Sequence, residues 1–218
     1  MWQAFVSDAF GQGYHGSSLW NHLGTSLARI LIAFLCCVLT AVPIGLLCGR
    51  WHSIRAIVAP LVHFYRPLPP LAYYTLLILW FGIGEMSKIM LLFLAGFAPI
   101  FIACVSAVES LDPAKMLVAR ILGASGWKLF RYVIFPSTLP DIFVGMRTSL
   151  GFIYTTLVAA EMVAAESGVG WMVLDASKFL KSDHVFVGIL AMGLTGLVLE
   201  GCFRCLERLF VPWKGKAE

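Results

Sequence analysis

The segment around Arg66 is the part of this sequence best suited to handling a charged solute. Arg66 lies within an apolar stretch and is followed by three prolines: Pro67, Pro69 and Pro70. Prolines kink or unwind a helix, and in lipid the freed carbonyls need protein or water as partners. A membrane-buried arginine costs about 2.5–3.5 kcal/mol on insertion scales, so such residues usually face the protein interior. Tyr65, Arg66 and Pro67 are thus candidates for the translocation path of an anion. The alternative is a structural kink whose arginine pairs with the freed carbonyls or extends toward the membrane surface.

Glu161 is a second candidate for the path. It lies twenty-one residues beyond Pro140, which is about 31 Å along a helix at 1.5 Å per residue. That distance places it near the outer boundary of the membrane, where it would serve an outer gate or a substrate access site. An acidic residue that simply sits at the interface is the alternative interpretation.

The other reactive residues form no catalytic or metal-binding pattern. The five histidines are scattered without ligand spacing, and the glycine-rich pieces lack the lysine–serine pair of a phosphate-binding loop. Cys202 and Cys205 have the CxxC spacing of redox and metal sites. No second pair or nearby histidine accompanies them, so packing roles are favoured. We therefore expect that the chain is not an enzyme and binds no metal or cofactor.

The composition places the chain in a membrane. Of its 218 residues, 60% are hydrophobic and 13% are charged, whereas soluble domains have about 25% charged residues. Stretches without acidic or basic residues cover 30–49, 67–84 and 89–108, each close to the ~20 residues that span a bilayer. Together with 142–160 and 185–203, they predict an all-α polytopic bundle with five spans.

The basic residues collect on one side of the membrane if these spans alternate. Ten of the sixteen lysines and arginines follow span one, span three or span five, whereas the other side has chiefly Lys88, Lys178 and Lys181. This asymmetry predicts that the basic loops and the C-terminus face the cytoplasm. Residues 1–21 then lie outside without any leading signal, so we expect that a first membrane helix of the protein precedes them.

Residues 112–136 form a polar, basic element between spans three and four. Asp112 is a suitable N-cap, and Pro113 suits the first helical position. A short helix is therefore predicted over 114–122, ending at Gly123.

A second short helix is predicted over 127–135, capped by Ser125 and stopped by Pro136, with span four beginning after Pro140. Its surface mixes aromatic and basic side chains: Trp127, Lys128, Phe130 and Arg131. An aromatic patch with a basic rim is typical of a protein docking surface. An amphipathic helix that lies on anionic lipid has a similar composition.

The segment 117–136, LVARILGASGWKLFRYVIFP, resembles the signature cytoplasmic loop of ATP-binding-cassette (ABC) importer permeases. Ala119, Gly123 and Pro136 match the last alanine, the glycine and the proline of that pattern. A leucine and a valine replace its opening glutamate and first alanine, so the resemblance preserves the helix–glycine–helix geometry but not the contact made by that glutamate.

Segments 66–89, 158–173 and 206–215 extend the resemblance to nearly the whole chain. They are similar to permeases of the nitrate/sulfonate/taurine group, and 66–89 and 158–173 are most similar to its taurine permeases. The resemblance implies one MetI-like permease domain of a type I importer over 1–218, with coupling helices at 112–136. Members of the family have six membrane helices, which agrees with an additional helix before residue 1.

The resemblance also implies the partners. Two permease copies form the pore in a bacterial inner membrane, a periplasmic binding protein delivers substrate, and two cytosolic ATPase subunits bind ATP and Mg²⁺. The implied ATPase-docking residues are Ala119, Gly123, Ala124, Trp127, Lys128, Phe130, Arg131 and Pro136.

The implied cargo is taurine or a related alkanesulfonate. Nitrate, bicarbonate or another small organic solute, carried by the same type of complex, remains an alternative. An ion-coupled secondary transporter is less favoured, because the sequence shows neither inverted repeats nor membrane-buried acid or histidine relays.

Overall fold

The structure is a computed structural model that describes residues 18–212. Within that range it contains helices and no strand, which confirms the all-α class. We predicted that residues 1–21 lie on the outer side of the membrane, and of these residues 1–17 are not in the described range. The helices are α1 (Leu19–Arg50), α2 (His52–Tyr65), α3 (Pro70–Phe81), α4 (Glu85–Glu109), α5 (Pro113–Ile121), α6 (Gly126–Leu129), α7 (Phe135–Ala164), α8 (Val169–Lys178) and α9 (Ser182–Phe210).

Four stretches of helix in the described part of the chain are long and apolar enough to cross a membrane: α1, α4, the continuous run 126–164 and α9. The second predicted span is different, because it is divided into α2, with 14 residues, and α3, with 12 residues. Neither reaches the ~20 residues that a spanning helix needs. The proline-rich segment 66–69 separates them, as expected for residues without a backbone donor.

Helices α1, α4 and α7 pack closely in the centre of the bundle, and glycines make this possible. A Cβ atom on Gly45 of α1 would lie 2.6 Å from the Cβ of Cys104 on α4. A Cβ on Gly145 of α7 would overlap that of Ala103 on α4. The Ser149 hydroxyl of α7 donates a 2.7 Å hydrogen bond to the Gly96 carbonyl of α4. Small residues thus bring the helix backbones together, as is typical of membrane bundles.

The element between α4 and α7 agrees with the prediction in its first half and differs in its second. Helix α5 spans Pro113–Ile121, and the Asp112 carboxylate accepts a 2.8 Å hydrogen bond from the Ala114 amide. The second short helix does not stop at Pro136, because a π-helical turn over Phe130–Ile134 joins α6 directly to α7.

Pro136 and Pro140 do not interrupt that continuous helix. Pro136 lies in the first turn of α7, where a missing N–H is tolerated, and the wider π-turn precedes it. Pro140 lies inside α7, so the prediction that span four begins after it was wrong.

Candidate functional site

The break between α2 and α3 opens onto a groove of about 440 Å³ that is also bordered by α4 and α7. Tyr65 and Arg66 line this groove. Pro67 is exposed at the break but is not among the lining residues. Tyr65 and Arg66 thus border a cavity, and their place in a translocation path stays a prediction.

The side-chain donors of Tyr65 and Arg66 have no protein partners in the described part of the chain. Arg66 is exposed, and its side chain pairs neither with a carboxylate nor with a freed carbonyl of residues 18–212. The Tyr65 hydroxyl is buried without a hydrogen-bond partner. Buried polar groups are nearly always paired, so an unpaired one in a cavity indicates a ligand, a water or an ion.

The rest of the groove is mainly apolar. Tyr73 and Thr148 add two hydroxyl groups, and Arg66 is the one charged residue among the lining residues that the structure describes. The apolar lining comes mostly from α4 and α7 and includes Leu94, Ile102 and Phe152. Such a groove suits a small solute with one anionic group and a short apolar part, because a single cation and a few hydroxyls fix its orientation.

Glu161 lies elsewhere, in a buried polar cluster at the other end of the same helix bundle. Its Oε1 atom accepts hydrogen bonds from the Arg29 Nη1 atom at 2.7 Å and from the Ser26 hydroxyl at 2.7 Å. Its Oε2 atom accepts a 2.9 Å hydrogen bond from the Gly170 amide. Glu161 and Arg29 are only 1% and 2% exposed. The carboxylate is thus fully engaged by the protein and does not line the groove that contains Arg66.

Arg29 joins a second carboxylate to this cluster. Its Nε and Nη2 atoms donate to the two Glu85 oxygens at 2.6 and 2.7 Å, and the Lys88 amine donates to Glu85 Oε1 at 3.0 Å. Lys88 is buried. The charges at the start of α4 are thus held by an arginine from α1, although the Glu85 side chain remains 56% exposed.

The loop after α7 encloses the Glu161 carboxylate. The Ser167 carbonyl accepts a 2.9 Å hydrogen bond from Arg29 Nη1, and the Val169 amide donates to the Ser26 hydroxyl at 3.2 Å. Gly168 has a φ of +122°, and a Cβ atom there would overlap the Glu161 carboxyl group. Only glycine meets both requirements, which explains the glycine at this point of the sequence.

The sequence analysis did not single out Arg29, although a signal was present. Arg29 is the sole charged residue between Leu19 and Gly49. A lone charge in a membrane helix indicates an interior partner. The identity of that partner depends on packing between helices that are more than fifty residues apart, which no local pattern reveals.

The predicted docking residues lie on the hairpin formed by α5, α6 and the π-turn, and the structure divides them by exposure. Exposed members are Gly123, Trp127, Lys128 and Arg131, and partly buried ones are Ala124, Phe130 and Pro136. Ala119 is buried against Leu129 and Ile134 in a small apolar cluster, so it supports the hairpin from inside. Gly123 has a φ of +85° at the bend.

Four exposed apolar residues of the hairpin were not among the predicted docking residues. Ile121 and Leu122 are 75% and 81% exposed, and Leu117 and Val118 are also exposed. Leu117, Val118 and Ile121 lie on α5 and Leu122 directly follows it. Exposed aliphatic side chains clustered on a short helix are typical of a contact with a partner.

The cysteines and acidic residues of the described range form no metal centre. No group of three or more His, Cys, Asp or Glu side chains within residues 18–212 is arranged to hold a metal ion. Cys202 and Cys205 are both exposed on α9 as free thiols.

Comparison with known proteins assigns the whole arrangement to a transport family. The family described as "Binding-protein-dependent transport system inner membrane component" matches residues 41–214. The taurine transport system permease protein TauC of Escherichia coli (strain K12) is 42% identical over 207 residues, which are 95% of this chain and 75% of the relative.

Two further relatives show the range of names in the family. The putative aliphatic sulfonates transport permease protein SsuC of Escherichia coli (strain K12) is 38% identical over 210 residues, covering 95% of this chain and 79% of the relative. The riboflavin transport system permease protein RibX of Chloroflexus aurantiacus is 33% identical over 211 residues, covering 97% and 79%.

Proposed function

The chain belongs to the binding-protein-dependent transport system inner membrane components, and we propose that it is the permease through which taurine or a related alkanesulfonate enters the cell. As the permease component of an ABC transporter it is an integral membrane protein and not itself an enzyme. It works with an ATPase and a substrate-binding component.

The observation that carries the proposed cargo is the unpartnered guanidinium of Arg66 in the groove. Tyr65 also lines the groove, and its hydroxyl, which is buried and unpartnered within residues 18–212, becomes a second donor if the side chain turns toward the solute. A sulfonate has three oxygens that accept hydrogen bonds, and charge-assisted bonds from arginine are roughly twice as strong as neutral ones. The short carbon chain of an alkanesulfonate suits the apolar lining from α4 and α7, whereas the ammonium group of taurine finds no carboxylate among the lining residues of the described range. The relatives named for taurine and aliphatic sulfonates support the same class of cargo.

We propose that residues 112–136, the coupling element, contact the ATPase. They would bind to the ATPase subunits of a complex that contains two permease copies and two ATPase subunits. Exposed residues of the hairpin, Gly123, Trp127, Lys128 and Arg131 among them, would provide the contact together with the apolar face of α5. ATP and Mg²⁺ would bind only to the ATPase, and this chain would need no cofactor. The basic end, with the C-terminus, would then face the cytoplasm of a bacterial inner membrane.

Other cargoes for the same complex are nitrate, bicarbonate or another small organic solute. The riboflavin permease among the relatives illustrates that the family is not restricted to sulfonates. An ion-coupled carrier is disfavoured because the buried acidic residue Glu161 is held by fixed donors rather than placed in a water-accessible relay.

Uptake measurements test the cargo. The chain is expressed with its ATPase and binding protein in cells that lack their own sulfonate importers, and uptake of labelled taurine is followed. We expect ATP-dependent uptake that unlabelled alkanesulfonates reduce and that nitrate, bicarbonate and riboflavin leave unchanged. Uptake that persists without ATP hydrolysis contradicts an ABC importer, whereas competition by nitrate or riboflavin alone contradicts only the sulfonate assignment.

A further inference from the structure

Two neighbouring cavities, one basic and one apolar, meet at the end of α1. The basic pocket, of about 510 Å³, is lined by Arg50, Arg120, residues 123–126 and Leu129. The apolar groove, of about 430 Å³, is lined by Pro43, Leu46, Leu47, Arg50, Trp51, Gly126, Trp127 and Phe130. Arg50 and Gly126 line both cavities, so the two adjoin and are considered together as one combined site.

The polarity of this combined site changes along the membrane normal. Its apolar part follows α1 from Pro43 to Arg50, a distance of about 10 Å at 1.5 Å per residue. Arg50 is the last residue of α1, and Trp51 follows it. Basic and tryptophan residues at the ends of spanning helices lie at the level of the lipid headgroups. The apolar groove therefore lies at the depth of acyl chains, and the basic pocket lies at the depth of phosphates.

The two arginines of the pocket have no counterion within residues 18–212. Arg50 and Arg120 are exposed, and neither forms an ion pair or side-chain hydrogen bond with a described residue. Two other arginines at this end of the bundle have carboxylate partners, Arg55 with Glu109 and Arg147 with Glu200. Two uncompensated guanidinium groups in one pocket attract an anion, and guanidinium geometry matches phosphate oxygens in a bidentate manner.

We propose that the combined site binds a phospholipid with an anionic headgroup. The phosphate lies against Arg50 and Arg120, and one acyl chain follows the apolar groove beside Leu47. A zwitterionic lipid has the same chains and a phosphate, but the cation of its headgroup offsets the negative charge that attracts the arginines, so the site discriminates by headgroup. This inference concerns the lipid around the permease and does not depend on the cargo proposed above.

The lipid would connect α1 to the coupling element. Trp127 and Phe130 line the groove with Pro43 and Leu46 of α1, so a chain in the groove contacts the hairpin and the membrane helix together. In this arrangement Trp127 and Phe130 face the lipid instead of the ATPase, and the ATPase contact proposed above rests on Lys128, Arg131 and the apolar face of α5. The sequence allowed two interpretations of this surface, protein docking and contact with lipid. The two thus apply to different sides of the hairpin.

Native mass spectrometry tests the headgroup contact. The full-length permease, alone and assembled with its ATPase, is titrated in neutral detergent with phosphatidylglycerol or phosphatidylcholine. We expect bound phosphatidylglycerol to be retained in both preparations and phosphatidylcholine to be lost. The double substitution Arg50→Gln/Arg120→Gln should weaken phosphatidylglycerol retention at least tenfold. The control Arg204→Gln/Arg208→Gln also removes two positive charges, but from the end of α9, and should leave phosphatidylglycerol retention unchanged.

A second pair of variants tests the groove without altering charge. Leu47→Trp fills the apolar part of the site and should also reduce phosphatidylglycerol retention, whereas Leu39→Trp, on an exposed part of the same helix, should not.

The proposal is overturned if glycerophosphoglycerol without acyl chains competes as well as the lipid, which would indicate a site for a free anion. It is equally overturned if assembly with the ATPase displaces the lipid, or if the arginine variants change the monomer–dimer ratio and not lipid retention. Equal retention by the wild type and both variant pairs also overturns it.

Discussion

The Arg29 Nη1 atom lies 2.7 Å from Glu161 Oε1, although the two residues are 132 positions apart in the chain. Arg29 belongs to α1 and Glu161 to α7, and both side chains are almost completely buried. The same arginine binds Glu85 at the start of α4. One guanidinium thus joins the three helices that form the centre of the bundle at the end opposite the basic loops.

Removal of either partner of this pair should destabilise the protein strongly. Breaking a buried ion pair leaves an uncompensated buried charge, which typically costs about 3–5 kcal/mol. We expect Arg29→Gln, which leaves the buried Glu161 carboxylate without a cation, to lower the thermal unfolding temperature of the purified permease by many degrees, and Glu161→Gln, after which Arg29 still pairs with Glu85, to lower it by less. The double substitution should cost less than the sum of the two single ones, because it leaves no unpaired charge.

Arg147→Gln is the matched control for this measurement. Arg147 pairs with Glu200 at a partly exposed position, where ion pairs contribute about 0.2–1 kcal/mol. Its unfolding temperature should stay close to that of the wild type. Similar losses at Arg29 and Arg147, or strict additivity between Arg29 and Glu161, would contradict a coupled buried pair.

Gly168→Ala should disturb the same cluster through the backbone. The residue has a φ of +122°, and an added Cβ would overlap the Glu161 carboxyl group. A left-handed backbone disfavours any side chain, so alanine introduces both strain and a steric clash. We expect a clear loss of thermal stability, and Gly151→Ala on α7, where an added Cβ meets nothing within 4 Å, should have little effect. An unchanged unfolding temperature for Gly168→Ala would show that the loop rearranges freely around the carboxylate.

The sequence predicts those features that depend on local chemistry. Composition and span length identify a helical membrane protein, the prolines after Arg66 predict the break between α2 and α3, and Asp112 marks the start of α5. In these cases the relevant residues are neighbours in the chain, so propensity and capping rules apply directly.

The features that the sequence did not reveal depend on which helices are neighbours in space. Arg29, Glu85 and Glu161 lie in three separate helices, and only the packing of α1 against α4 and α7 brings them together. The continuation through Pro136 depends on a π-turn, which has no simple sequence signature. We interpreted Pro136 as the end of a helix because proline has no backbone donor. The residue lies in the first turn of α7, where a missing donor is tolerated.

Substitutions in the groove should separate the charge of Arg66 from its bulk. Arg66→Gln removes the cation that would hold an anionic solute, and we expect taurine uptake to fall at least tenfold at low substrate concentration. Arg66→Lys keeps a positive charge without the bidentate geometry and should retain intermediate uptake. Amounts of assembled complex and its ATP hydrolysis serve as readouts of folding. Equal uptake by the wild type and Arg66→Gln would assign Arg66 to the structural kink.

Tyr65→Phe examines the second unpartnered donor of the groove. The hydroxyl is buried without a protein partner in the described range, so its removal costs no internal hydrogen bond. If it donates to the solute, the taurine concentration for half-maximal uptake should rise about tenfold or more, since a hydrogen bond to a charged group contributes about 1.5–3 kcal/mol. Tyr73→Phe, at another hydroxyl of the same groove, shows whether the effect belongs to one position. A more stable protein with unaltered uptake would mean that the Tyr65 hydroxyl has no role in transport.

Gly123→Val should uncouple the permease from its ATPase. Gly123 has a φ of +85° at the bend of the hairpin, and a β-branched residue is a genuine outlier in that conformation, at a cost of about 1–3 kcal/mol of strain. The bend would then open and move α5 relative to α6. We expect normal membrane insertion, weak association with the ATPase in pull-down experiments and little uptake. Gly123→Asn is the control, because asparagine tolerates the left-handed region, and it should restore both association and uptake to a large extent. Normal uptake in Gly123→Val, or equal loss in both variants, would remove the bend from the coupling mechanism.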